Sequence, residues 1–99
     1  MAEALALEVI SVVANLRRSQ VAHESGNQLL RAGTSVGAKY RAACRSRSRY
    51  ARAKIAIAEE EADESLYWLE LLTDSGTVEI ARVHSLLQEA NQFLAICTA

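Results

Sequence analysis

Proline is absent from all 99 residues of the chain, and glycine occurs only four times. Folds built from strands and tight turns use both residues at many positions, so this composition argues against an all-β fold. Hydrophobic residues make up 51% of the chain but aromatic residues only 5%, which predicts an aliphatic core between packed helices. The length suits one domain, so residues 1–99 are interpreted as a single all-α unit.

Apolar residues recur at spacings of three and four in four segments, which predicts four helices. The predicted spans are 3–17, 20–46, 49–73 and 77–97. Ser19 and Thr77 are predicted N-caps of the second and fourth helices, and Gly76 is predicted to take a left-handed conformation after the third. The apolar stripe of the fourth helix is assigned to Val83, Leu87, Ala90, Leu94 and Cys97.

Short connections favour antiparallel neighbours, so the expected architecture is an up-down-up-down four-helix bundle. The boundary near residues 46–49 has neither Gly nor Pro. One continuous helix over 20–73 would be about 80 Å long, at 1.5 Å per residue. Because that length does not suit a small domain, a turn is predicted there.

Charges are segregated along the chain although the net charge is only −1. Residues 31–58 contain bases and no acids, and residues 59–80 contain acids and no bases. Such segregation indicates interaction surfaces, although a solvated helical face is an equally good interpretation. The candidate contacts to nucleic-acid phosphates are Lys39, Arg41, Arg45, Arg47, Arg49 and Arg52. Folding the second and third helices about residue 48 would bring Arg31 within reach of Asp63 or Glu64.

Other residues suggest contacts between subunits. Gly26, Gly33 and Gly37 share one helical face, which lets another backbone approach closely, either within the chain or from a second copy. The remaining candidate interface residues are Glu60, Glu61, Glu64 and Trp68. A second apolar face is assigned to Leu7, Ile10, Ile57, Trp68, Leu86 and Phe93. Because a basic end and an acidic flank are different surfaces, we expect a head-to-tail contact that closes into a cyclic homo-oligomer.

Catalysis has little support in the sequence. A di-metal bundle site needs Glu-x-x-His pairs, which are missing around His23 and His84. Gly33 and Gly37 lie inside a helical pattern and do not form a phosphate-binding loop. We therefore expect no catalytic residue, cofactor or metal. Two cysteines without a CxxC motif, no signal peptide and no long apolar run predict a cytoplasmic protein outside the membrane.

Two stretches carry a family resemblance. Residues 27–43, with the run Gln28 to Ala38, and residues 55–72 resemble the second and third helices of the bacterial four helix bundle proteins. That family is also known as the 23S ribosomal RNA intervening-sequence proteins. It is similar to the accessory protein of diversity-generating retroelements, a pentameric barrel that binds nucleic acid and a reverse transcriptase. The resemblance implies a ring of five bundles without catalytic residues.

Two functions remain open at this point. The first is a nucleic-acid-associated accessory protein that uses an arginine-rich rim. The second is a scaffold with a protein partner, in which the same arginines form salt bridges between subunits.

Overall fold

The computed structural model describes residues 2–46 and 49–98. They form four helices and no strand. The helices are α1 (Ala2–Ala14), α2 (Gln20–Arg45), α3 (Tyr50–Asp74) and α4 (Ile80–Thr98). The all-α class and the number of helices are therefore confirmed.

Local capping explains where the middle helices begin and end. Ser19 is extended, and its hydroxyl accepts a hydrogen bond from the Ala22 N–H at 3.0 Å, which confirms the predicted N-cap of α2. Ser46 is also extended, so α2 ends there and does not continue into α3. Gly76 has a φ of 77°, which confirms the predicted left-handed residue after α3.

Two predicted helix ends are wrong by three residues. The Thr77 N–H donates to the Leu72 carbonyl at 3.0 Å, so Thr77 closes the end of α3 and is not the cap of α4. At the end of α1, the N–H groups of Asn15 and Leu16 donate to carbonyls three residues earlier. Such tight turns satisfy the last carbonyls of a helix, so α1 stops at Ala14.

The core lies among all four helices. α1 and α3 each pack against α2 and α4. The fully buried large side chains are Leu5, Val9, Leu29, Val36, Leu69, Leu72, Val83, Leu86 and Phe93.

The inward face of α4 differs from the predicted one. Leu86 and Phe93 are each 1% exposed, so their assignment to a second apolar face is wrong. Leu87 and Leu94 lie half-buried at the side of the core. Consecutive helical residues point about 100° apart, so the sequence of one helix can contain two adjacent apolar stripes. Which of the two is buried depends on where the neighbouring helices pack.

α2 and α3 are the longest helices, and the end of their hairpin is exposed to solvent. α2 has 26 residues and α3 has 25, whereas α1 has 13 and α4 has 19. Among the described residues from 39 to 57, only Ala43 is buried. We call residues 39–46 and 49–54, at the end of this hairpin, the basic tip.

Candidate nucleic-acid interface

The basic tip presents the predicted phosphate-binding residues to solvent. Lys39, Arg41, Arg45, Arg49 and Arg52 are all exposed. Arg47 lies outside the described residues. Because no acidic residue occurs between positions 31 and 58, the tip carries a strong local positive charge.

Ion pairing leaves these cations available. Arg31 binds Glu64, and its Nη1 lies 3.6 Å from Oε2 of Glu61. The predicted contact to Glu64 is confirmed, whereas Asp63 is not a partner of Arg31 in either ion pair. Across residues 2–46 and 49–98, these are the ion pairs that form, so the described cations of the basic tip have no carboxylate partner.

The cations surround the end of the hairpin and do not share one flat face. Lys39 and Arg41 are two residues apart, so they point to opposite sides of α2. Arg41 and Arg45 lie one turn apart on the same side. Arg49 lies over the ring of Tyr50, with its guanidinium carbon 5.8 Å from the ring centre. A single strand of nucleic acid would therefore contact only part of the cluster on one copy.

A layer of aromatic and thiol groups lies at the base of the tip. The Tyr40 and Phe93 rings meet edge to face, with their centres 5.3 Å apart. A hydrogen bond with Cys44 raises the pKa of Tyr40, and the charge of the Cys44 thiolate and burial raise it further. Burial, with a smaller contribution from Glu59, raises the pKa of Cys97, which keeps this thiol protonated and makes it a poor nucleophile at neutral pH.

Two of the three aligned glycines serve contacts within the chain. A methyl group on Gly33 would lie 2.5 Å from Cγ2 of Val9 on α1, and one on Gly26 would lie 3.0 Å from Cδ1 of Leu16. The close approach is therefore between α1 and α2. Gly37 is half-buried and lines a surface groove between the same helices. Assignment of these glycines to a subunit interface stays a prediction.

The acidic residues that are predicted at a subunit interface differ in their contacts. Glu61 and Glu64 contact Arg31, whereas Glu60 is exposed and takes part in neither ion pair of the described chain. Trp68 is half-buried, and its ring lies edge to face against Tyr67 at 5.0 Å. The indole Nε1 of Trp68 is buried without a hydrogen-bond partner among the described residues.

The outer side of α3 carries an apolar surface that the sequence interpretation identified only in part. Ile57 was predicted there, but Tyr67 and Leu71 are also exposed, by 56% and 42%. Together with Glu60 and Glu64 they form what we call the α3 stripe. Its members are spaced 3, 4, 3 and 4 residues apart, so the helical period would have identified them.

Neither metal-binding nor membrane-spanning features occur in the described part. No three His, Cys, Asp or Glu side chains of residues 2–46 and 49–98 gather closely enough to hold a metal ion. None of the described helices combines the length and apolarity needed to cross a bilayer.

Comparison with known proteins places the whole chain in one family. The family model for the "23S rRNA-intervening sequence protein" matches residues 1–99. No curated protein and no solved structure matches the chain.

Proposed function

The chain belongs to the 23S rRNA-intervening sequence protein family, and we propose that it is a non-enzymatic, homo-oligomeric accessory protein that binds nucleic-acid phosphates through its basic tip. The family description names a genetic origin and no ligand. The assignment of phosphate as the ligand therefore depends on the chemistry of the tip.

The observation that carries the proposal is the basic tip, whose exposed arginines take part in no ion pair of the described chain. Arginine offers several donors in a planar fork that matches phosphate oxygens. Elsewhere on the described chain, Arg31 is already bound to two carboxylates. The cations of the tip are exposed on opposite sides of α2, so a polyanion can approach them from more than one side.

The proposed bundle runs up-down-up-down. The contact between Arg31 and Glu64 supports an antiparallel pairing of α2 and α3 about residue 48. The contact between Tyr40 and Phe93 brings the later part of α4 to the later part of α2, as expected for diagonal helices that run in the same direction. Two free cysteines fit the reducing cytoplasm to which we assign the protein.

The proposed assembly is a closed ring, in which five subunits follow from the family resemblance alone. A ring would place several basic tips along one rim. Because each tip contributes only a few phosphate contacts, joining several tips would raise affinity through multivalency.

The test measures binding of a labelled 20-nucleotide single-stranded RNA by fluorescence anisotropy at increasing KCl concentrations. The tip variant replaces Arg45, Arg49 and Arg52 with Ala. The matched control carries the same loss of charge at the other end of the bundle, where Arg17, Arg18 and Arg82 are replaced with Ala. Both variants should keep the wild-type helical content, because exposed charges contribute little to stability.

We expect the wild type and the control to lose affinity steeply with salt. Each phosphate contact to a single strand contributes roughly 0.7 to the slope of log K against log salt, so three contacts contribute about 2. The tip variant should lose that part of the slope and bind less tightly at low salt. Equal binding by the tip variant and the control would place the contact elsewhere, and no binding by the wild type would refute the proposal.

A scaffold function is the second candidate, because acidic side chains gather on α3. Residues 59–80 contain eight acids, and two of them are paired with Arg31. The basic tip of one copy could bind the remaining acids of another and leave none of its charge for nucleic acid. In that case the tip variant would dissociate the assembly, and the wild type would not bind RNA.

A further inference from the structure

The folded chain exposes more surface than a compact monomer of the same mass. Its accessible area is 6425 Å² at a mass of 10.8 kDa. A compact monomer of that mass exposes roughly 5,500 Å². The excess of roughly 900 Å² is close to the area of about 800 Å² that one partner buries in a standard protein interface.

One apolar part of this surface is the α3 stripe. Tyr67 and Leu71 are 56% and 42% exposed, and Ile57, nearly three turns before Tyr67 on the same face of the helix, is 43% exposed. Exposed aromatic and aliphatic residues on one helical face, here with Glu60 and Glu64 among them, mark a surface that another protein covers. Tyr67 also contacts Trp68, whose indole Nε1 has no partner among the described residues.

A second apolar surface is a groove between α1 and α2. Its cavity has a volume of about 440 Å³. It is lined by Glu3, Ala6, Thr34, Gly37, Ala38, Tyr40 and Arg41. We call it the α1–α2 groove.

Large apolar side chains continue the groove along α1. Leu7 lies one turn after Glu3, and Ile10 lies one turn after Ala6, so both extend the side of α1 that lines the groove. Leu7 is 60% exposed and Ile10 is 46% exposed. The groove floor itself has small side chains, which leaves room for large ones from outside.

We infer that the α3 stripe of one copy docks into the α1–α2 groove of the next copy. The inference rests on the proposed homo-oligomer and identifies the two surfaces that meet in it. α1 and α3 do not pack against each other, and the stripe and the groove have no residue in common. The contact is therefore heterologous, as a ring requires.

Charge supports this pairing. Glu60 on the stripe and Arg41 in the groove are both exposed and take part in no ion pair of the described chain. Their opposite signs allow them to pair across the contact. Glu3 lines the same groove as Arg41, and its charge has the same sign as that of Glu60. Because Arg45, Arg49 and Arg52 lie outside both surfaces, the contact leaves most of the basic tip free for phosphates.

The test uses two variants that each break one surface. The stripe variant carries Tyr67→Ser and Leu71→Ser, and the groove variant carries Ile10→Ser and Ala38→Glu. All four residues are exposed, so each variant should keep its fold, which circular dichroism checks. The matched control carries Ile80→Ser and Ile96→Ser, which remove two exposed apolar side chains from α4. Masses are measured by sedimentation velocity for each protein alone and for an equimolar mixture of the stripe and groove variants.

Each broken variant alone should sediment as a monomer of about 10.8 kDa, while the wild type and the control assemble. The mixture should form a complex of twice that mass and no larger, because one intact stripe can bind one intact groove and the remaining surfaces are blocked. A mixture that stays monomeric would overturn the inference, as would an assembled stripe or groove variant. If the wild type assembles but both variants keep its mass, the two surfaces are wrong while the proposed homo-oligomer stands. A monomeric wild type would overturn both.

Discussion

Replacing Gly33 with Ala tests the contact between α1 and α2 most directly. The new methyl group would lie 2.5 Å, 2.8 Å and 3.0 Å from three side-chain atoms of Val9. Val9 is fully buried, and its β-branched side chain has little rotamer freedom, so α1 itself must move. Overpacking of this kind costs roughly 1–3 kcal/mol.

The same substitution also favours the helix. Replacing Gly with Ala in a helix interior gains about 1 kcal/mol. Gly26→Ala is the matched control, because its methyl would meet only the end of the flexible Leu16 side chain, at 3.0 Å, and Val13 at 3.6 Å. The helix gain is common to both variants, so their difference in stability isolates the steric cost.

We expect Gly33→Ala to be less stable than Gly26→Ala by about 1–3 kcal/mol. Urea unfolding followed by circular dichroism, at one fixed protein concentration, measures the free energy of unfolding of each variant. For a domain of this size each kcal/mol corresponds to about 4–8 °C in Tm. Adding Val9→Ala to Gly33→Ala should recover part of the steric cost in a double-mutant cycle. Equal stability of the two glycine variants would refute the close approach of α1 to Gly33.

Further predictions concern Ser19, Arg31 and Cys97. Ser19→Ala should lower the free energy of unfolding by about 1 kcal/mol, because the Ala22 N–H loses its cap. Ser19→Asp keeps a capping oxygen and should not lower it, so equal effects of the two variants in urea unfolding would contradict the capping role. Arg31→Ala should cost less than about 1 kcal/mol in the same assay, because this ion pair is half-exposed and solvent screens it; a larger loss would contradict that assignment. Cys97 should react with iodoacetamide more slowly than the exposed Cys44, since burial raises the pKa of Cys97, and mass spectrometry should show the difference disappear in urea. The unfolded Cys97 thiol loses its proton at a lower pH than the folded one, near its ordinary pKa of about 8.5. The free energy of unfolding should therefore fall as the pH rises past that value, and Cys97→Ala should reduce this loss.

The candidate site shows how far sequence reasoning reaches. The exposure of Arg45 and Arg49 was predictable, because bases at the end of a hairpin without nearby acids cannot be buried. The contact of Arg31 with Glu64 was also predictable, because two helices joined by a short turn pair residues at equal distances from that turn. The neighbours of the basic tip were not predicted, because they depend on how α1 and α4 align with α2: Glu3 lines a groove with Arg41, and Phe93 contacts Tyr40.

The sequence by itself determines the helices of this protein, since the periods of its apolar residues, Ser19 and Gly76 are local signals that act on the backbone nearby. Only the tertiary structure decides which of two adjacent apolar stripes becomes core. Phe93 and Leu94 are equally suited to burial, yet the neighbouring helices bury Phe93 and leave Leu94 at the side. Gly33 is a costly helix residue in the sequence, and its use appears only when Val9 of α1 lies against it. The physical reason is that local patterns act within a few residues along one helix, whereas burial depends on how several helices divide the same space.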